Sequence, residues 1–364
     1  MAPLRYLFLL GAAFASSAAA SKIQLPEATG QYGVQVTSTK LVDHSRVDPF
    51  SPDNSKRALM VSSFAPMVCQ NTEYVQYMPP AVAAANDAHF ASVGIQDGTF
   101  GSFQIASCTK SHSGGADHPL FPLMIFSPAL GVSRLLYQAT LQAVASHGYV
   151  VVSVDHPYDA NVVQFPDGSV IRGRAKEIKS DPTLMQQDFW VRVADLGFVL
   201  DELSKPDQQV VPRSLSGSVN YDNISAAGHS LGGAAAAQTM HNNTRYAGGI
   251  NLDGVMLGPV ISEGFSRPFL EFSSTTTSQR RNDTWTEFLS SLEGWKRELL
   301  LDDSKHLTFT DLPLLFDNAP SAEQVRSNAQ TLIGSLAGQR VRAIISAYVA
   351  PPSSSMPRGS SRRC

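Results

Sequence analysis

The stretch Ala226–Ala237, AAGHSLGGAAAA, sets one hydroxyl among three glycines and a run of alanines. Residues Ile224–Ala227 read as the end of a strand, and those from Leu231 onward as a helix. Ser230 therefore falls in the turn between them, inside Gly228-His229-Ser230-Leu231-Gly232. A serine presented at so sharp a corner takes a strained backbone, and a side chain two places before or after it would strike the neighbouring elements. Glycine at 228 and 232 removes that obstacle, and the alanines let the helix pack closely below the turn. The free N–H groups of the helix start then lie beside the hydroxyl, where they favour developing negative charge.

Outward from this turn, strands and helices alternate from about Leu120. LFPLMIFSPA, YVVVSVDHP, NISAAGHS, YAGGINLDG, RPFLEFSS and RELLLDDSKH read as strands. SRLLYQATLQAVASHG, FWVRVADLGFVLDELS and LGGAAAAQTMH read as helices, and Ser321–Ala350 as one long closing helix. Apolar strands separated by helices predict an α/β fold with a mostly parallel central sheet covered on both faces. In such a sheet, the serine corner is the nucleophile elbow of an α/β-hydrolase. Residues 21–350 are expected to form a single domain, with 21–119 an irregular N-terminal extension. Within it, strands near Gln31–Thr37 and Ala58–Ser63 are expected at the antiparallel edge of the sheet.

A serine hydroxyl attacks poorly until a base takes its proton, and that base needs an acid to orient it. In this fold the chain order is serine, acid, histidine. Two histidines follow Ser230. His241 lies 11 residues along the same helix, roughly 16 Å away at 1.5 Å per residue, out of reach. His306, in DDSKHLTFTDLP after the last strand, remains as the base. Asp253 ends the strand that follows the elbow helix and is the expected acid. Asp302 and Asp303 are a weaker alternative, too close in sequence to His306 to approach its ring easily, and the next strand ends in Ser and Thr around Glu271. The backbone N–H groups of Leu231 and of Leu130, in FSPALGVSRLLY, are the expected oxyanion donors.

The composition is that of a globular protein, with 43% hydrophobic and 16% charged residues. The formal charge of -3 offers no basic face for a nucleic-acid partner. MAPLRYLFLLGAAFASSAAASK has the charged start, short apolar run and small-residue end of a secretory signal peptide, predicting cleavage near Ser21, with an uncleaved anchor as the alternative. Export makes pairing of Cys69 with Cys108 favourable and leaves Cys364 over, at the end of a tail (351–364) expected to be disordered. Asn223, Asn242 and Asn282 fit the glycosylation sequon. His112 and His118 in SHSGGADH do not have the spacing of a helical zinc pair, and no metal or other cofactor is called for. His156 and Asp159, in DHPYD, lie near the carboxyl edge of the sheet and either shape a pocket rim or cap the turn.

PLMIFSPALGVSRLLY, ASHGYVVVSVDHPYD, AAGHSLGGAAA, GGINLDGVM and DSKHLTFTDLP together resemble the secreted, plasma-type platelet-activating-factor acetylhydrolases, from about Phe121 to Pro313. That family carries its acid 23 residues beyond its serine, as Asp253 stands to Ser230, and a His-x-x-Phe-x-Asp pattern matched by His306, Phe309 and Asp311. The resemblance implies calcium-independent hydrolysis of a short or oxidised acyl chain from a glycerophospholipid. Ser230 would be its nucleophile, Asp253 its orienting acid, His306 its base, and Leu130 with Leu231 its oxyanion donors. The family usually has His-Gly before the oxyanion leucine, whereas Pro128-Ala129 stands here. The partner expected is a small ester or phospholipid, with transient lipid-surface contact through the basic tail and no obligate protein partner. Two other readings carry different consequences. One is an esterase or lactonase for a small metabolite, with Phe272, Trp285 and Phe288 either closing over the substrate or packed in the core. The other is a hydrolase-fold binding protein without catalysis, which usually breaks the triad.

Overall fold

Eight strands pair into one sheet in this structure, a computed structural model that describes residues 21–111, 119–207, 210–215, 217–275 and 283–350. They are β1 (Gly33–Val47), β2 (Lys56–Met67), β3 (Phe121–Ser127), β4 (Val150–Asp155), β5 (Val219–His229), β6 (Tyr246–Leu252), β7 (Phe269–Ser274) and β8 (Lys296–Leu301). Their spatial order is β1-β2-β4-β3-β5-β6-β7-β8. β2 points the other way from the rest, pairing antiparallel with β1 and β4, and all pairs from β4 to β8 are parallel. The register sets Gly228 beside Ser127 on one side and Asn251 on the other. The carboxyl ends of β3, β5, β6 and β7 therefore share one edge, where loops of an open α/β sheet assemble a site.

Side chains along the strands alternate between two cores, as the period of two requires. Met124, Phe126, Ala227 and Ile250 meet α2 (Gln138–Ser146), α5 (Ala322–Ile333) and α6 (Gly338–Val349). Leu123, Ile125 and Ala226 meet α3 (Pro182–Leu203) and α4 (Leu231–Asn242) on the other face. The alanines of α4 are buried, so their small size sets a close helix-to-sheet approach.

Several sequence expectations need correction. The closing segment is two helices, α5 and α6, separated at Gly334, whose φ of 70° is left-handed. A side chain there would also strike the Asp303 carbonyl. Helical periodicity runs through both halves, so the pattern conceals the break. The helix expected from Ser133 begins as a 3-10 turn, Arg134–Tyr137, with Leu136 outside helical geometry, before α2 starts. The last strand stops at Leu301, shorter than the stretch read as a strand, and His306, expected just after it, opens a 3-10 turn, His306–Phe309. Residues 21–119, read as irregular, carry β1, β2, a helix α1 (Pro80–Phe90) and a second sheet of Ile23–Gln24, Phe103–Ser111 and Cys69–Gln76. The two edge strands are present there, longer than expected.

A disulfide joins Cys69 to Cys108 across two strands of the second sheet. Closing that 39-residue loop contributes about 3–4 kcal/mol in the chain-entropy view. Asn223 and Asn242 are exposed. Residues 1–20, His112, His118, Asn282 and the tail with Cys364 lie outside the described residues. Among the described residues, no helix is long and apolar enough to cross a membrane.

Candidate active site

Ser230 joins β5 to α4 with φ 57° and ψ −125°, a conformation costly for any residue with a Cβ. The surrounding glycines explain how it is held. A Cβ at Gly228 would overlap the backbone of Gly232 and Gly233, and one at Gly232 would overlap the carbonyl oxygens of Ser127 and Pro128. The Ser230 N–H donates to the Leu252 carbonyl at 2.8 Å, tying the corner to the end of β6.

Asp253 begins directly after β6, itself left-handed at φ 59°. Its turn is held by Asn251, which accepts from the Gly254 N–H at 3.0 Å and donates to the Gly254 carbonyl at 2.6 Å. Trp285 Nε1 donates to the same carbonyl at 2.7 Å. The buried Asp253 carboxylate accepts from the Ser274 N–H at 2.5 Å and the Ser274 hydroxyl at 3.0 Å, which aims it across the end of β7.

His306 closes the line. Its Nδ1 lies 2.6 Å from Asp253 Oδ2 and its Nε2 2.9 Å from Ser230 Oγ. A carboxylate can only accept, so Nδ1 carries the proton, and Nε2 is left to accept from the serine hydroxyl. This arrangement can take the proton of Ser230 as its oxygen attacks, while Asp253 stabilises the imidazolium that results. Asp302 and Asp303 do not supply the orienting carboxylate.

The loop carrying His306 is anchored by Asp311. Its buried carboxylate accepts from Tyr77 Oη at 2.6 Å, from the N–H groups of Ala139 at 2.6 Å and Thr140 at 3.0 Å, and from the Thr140 hydroxyl at 2.6 Å. Three of these donors sit in the first turn of α2, whose free N–H groups attract a carboxylate. Phe309, between His306 and Asp311, packs at a tilt against the ring of His229 and edge-to-face against that of Phe272. Beneath the site, His229 lies 4.6 Å from His306, centroid to centroid. Burial, then the charge of His306, pushes the His229 imidazole well below its ordinary range, so it stays neutral.

Glu271, in β7, is fully buried and accepts from Asn251 Nδ2 at 2.9 Å, while its other oxygen has no partner among the described residues. Burial, reinforced by Glu298 and Asp253, raises its carboxyl well above the glutamate range. The native state therefore keeps a proton that the unfolded chain releases near its reference value of about 4.3, and stability is lost as pH rises above that point. Glu271→Gln lacks this linkage. Its stability relative to the parent should improve by about 1.4 kcal/mol for each pH unit above ~4.5, until the native carboxyl ionises. Denaturant melts of both proteins at pH 5 and pH 7 check this, and a difference that does not change with pH counts against it.

Leu231 follows the serine at the start of α4, and Leu130 lies in the loop that follows β3. The loop from β3 packs on Gly232, and neither amide donates to a protein acceptor among the described residues. His229, Asp253 and His306 offer ligand atoms within 4.8 Å of one another, but both His306 nitrogens and both Asp253 oxygens already hold hydrogen bonds, so an ion would have to break the relay. Phe272, Trp285 and Phe288 are core residues, at most 2% exposed, and do not close over a substrate.

The family model for platelet-activating factor acetylhydrolase, isoform II, matches residues 18–165 and 200–321. The chain belongs to this family. A protein of Arthroderma benhamiae named "probable 1-alkyl-2-acetylglycerophosphocholine esterase" is 32% identical, the alignment covering 94% of this chain and 90% of that one. The platelet-activating factor acetylhydrolase of Bos taurus is 30% identical over 46% of this chain and 42% of its own. Among solved structures, a ferulic acid esterase from Streptomyces cinnamoneus superimposes with a TM-score of 0.76 at 28% identity, covering 91% of this chain and 92% of that one. The protein is a carboxylic-ester hydrolase with the α/β-hydrolase fold.

As a member of the platelet-activating-factor acetylhydrolase family, the chain matches from residue 18, well upstream of the Phe121–Pro313 stretch whose motifs carry the resemblance. His156 and Asp159 are buried under the site rather than on a rim. Asp159 caps the Gly131 N–H at 2.9 Å and pairs with Arg192. Tyr137 and Arg192 were missed, since an arginine or tyrosine within an apolar helix gives no pattern distinguishing a buried anchor from a surface residue.

Proposed function

We propose that this member of the family is an exported serine esterase that releases a short acyl group from a glycerophospholipid of the 1-alkyl-2-acetyl type, without calcium. Ser230 is the nucleophile, His306 the general base and then acid, and Asp253 the orienting carboxylate. The Leu130 and Leu231 amides receive the oxyanion of the tetrahedral intermediate. The observation that carries the chemistry is the unbroken hydrogen-bonded line from Ser230 through His306 to Asp253. The substrate class is supported by the near full-length likeness to the Arthroderma benhamiae protein and its printed activity. Export is supported by the signal-like first 20 residues and by the disulfide, and glycosylation by exposed sequons at Asn223 and Asn242. A second reading, an esterase for hydroxycinnamate or similar small esters, is favoured by the structural likeness to a ferulic acid esterase.

One panel separates them: an acetyl-phospholipid, a long-chain phospholipid, a feruloyl ester and a short aryl ester, each with and without a chelator. Fastest turnover of the acetyl-phospholipid, unchanged by chelation, is expected. Feruloyl hydrolysis with no action on the phospholipid would transfer the assignment to the second reading, and calcium-dependent turnover would refute the first.

A further inference from the structure

The loop Pro128–Gly131 that would supply one oxyanion donor has most of its backbone polar groups tied to hydrogen-bond partners. The Pro128 carbonyl accepts from Arg192 Nη1 at 2.6 Å, and proline has no N–H to give. The Ala129 N–H donates to Tyr137 Oη at 3.1 Å, and the Ala129 carbonyl accepts from the Val132 N–H at 3.1 Å. The Gly131 N–H donates to Asp159 Oδ1 at 2.9 Å, and its carbonyl accepts from the Asn161 N–H at 3.3 Å. Between them, the Leu130 N–H alone has no protein acceptor among the described residues. Tyr137, Asp159 and Arg192 are at most 1% exposed, and they come from the 3-10 turn before α2, the loop after β4, and α3.

The charges and protons in this network run in one consistent direction. Arg192 Nε donates to Asp159 Oδ2 at 2.5 Å, and Nη1 donates also to Ser127 Oγ at 3.1 Å. The Ser127 hydroxyl then donates to His156 Nε2 at 2.9 Å, and His156 Nδ1 donates to Asp195 Oδ2 at 2.8 Å. Burial and the Arg192 charge lower the His156 imidazole despite Asp195, so Nε2 keeps the lone pair that this pattern needs. Burial alone would raise Asp195, but Arg57 and His156 outweigh it and hold the carboxyl far below its usual range. On the other side of the loop, the Tyr137 hydroxyl donates to Nδ1 of neutral His229 at 2.8 Å while its oxygen accepts from Ala129.

We infer that Tyr137, Asp159 and Arg192 are positioning residues, which hold the loop so that the Leu130 N–H stays free and pointed at the oxygen that becomes negative. This rests on the reading of Ser230 as nucleophile. An oxyanion donor is effective only if oriented before the charge forms. Here the restricted Pro128-Ala129 pair is held by side-chain anchors to the groups on either side of the donor.

Tyr137→Phe removes one hydroxyl and leaves the ring in place. Arg192→Lys keeps the charge beside Asp159 but cannot bridge Ser127 Oγ and the Pro128 carbonyl together. In each, kcat should fall about tenfold to hundredfold, less than the 10²–10³ of deleting an oxyanion donor outright. KM should stay within about twofold, and affinity for a trifluoromethyl ketone, which forms a tetrahedral adduct on the serine, should weaken by the same factor as kcat. Wild-type kcat in both folded variants overturns the inference. So does a loss of rate carried by KM with ketone affinity unchanged, or failure of Tyr137→Phe to fold, which would make the hydroxyl structural only. Fluorophosphonate labelling of the parent tests the underlying reading separately. If the parent is not labelled, or Ser230→Ala is labelled as well as the parent, the nucleophile assignment fails, whatever the two variants do.

Discussion

Ser230→Ala should lower kcat by at least about 10⁴-fold, with the thermal midpoint of unfolding nearly unchanged, and His306→Ala should do the same. The reason lies in the continuity of the hydrogen-bonded line. Without Oγ, His306 Nε2 has no proton to take, and without the imidazole the hydroxyl faces its substrate as a weak alcohol. Because the two act as one unit, the double variant should be scarcely worse than either single one. Steady-state rates with an ester substrate, beside fluorophosphonate labelling, measure this directly. A Ser230→Ala protein retaining a tenth of parental kcat would remove the basis of the mechanism. Ser230 also occupies a strained left-handed position, so alanine inherits the strain and should neither relieve nor deepen it.

Asp253→Asn is expected to cost about 10³- to 10⁴-fold in kcat while leaving the site assembled. An asparagine can still accept from the Ser274 N–H through its oxygen. Its amide nitrogen then lies where Oδ2 accepts from His306 Nδ1, and two donors would meet. The imidazole escapes that conflict by moving its proton to Nε2, the atom that must accept from Ser230. A loss of rate together with retained melting behaviour is the expected pair of results. Near-parental turnover would show that another group orients His306, and Glu271, fully buried in β7 and bonded to Asn251, would be the first to test.

The legible parts of the site are those fixed by turn sterics, by the rise of a helix or by position at a strand end. The turn around Ser230 forces glycine at positions two away, because the atoms that a side chain would strike belong to the next turn of chain and to the adjacent strand end. His306 was legible by exclusion, since a helix places His241 at a calculable distance from the serine. Asp253 was legible as a carboxylate ending the strand after the elbow. The break between α5 and α6 was not legible, because the apolar period continues across Gly334, and the left-handed φ and close passage of the Asp303 carbonyl that require the glycine are tertiary facts. In the N-terminal third β1 and β2 were legible over part of their length, whereas α1 and the second sheet, which forms by pairing of distant segments, were not.

By itself, the amino-acid order determined that a strained serine would stand at a strand-to-helix corner of a parallel sheet, with one histidine and one strand-ending aspartate available to it. Those facts follow from turn sterics, helix rise and the order of elements along the chain. The tertiary structure alone decided that Arg192, Asp159 and Tyr137 meet around Pro128–Gly131, and that Asp311 fastens the histidine loop to α2. Those contacts depend on β3 lying between β4 and β5, and on which helix covers each face. Strand order is settled by burial and pairing over the whole sheet, and no short stretch of sequence carries it.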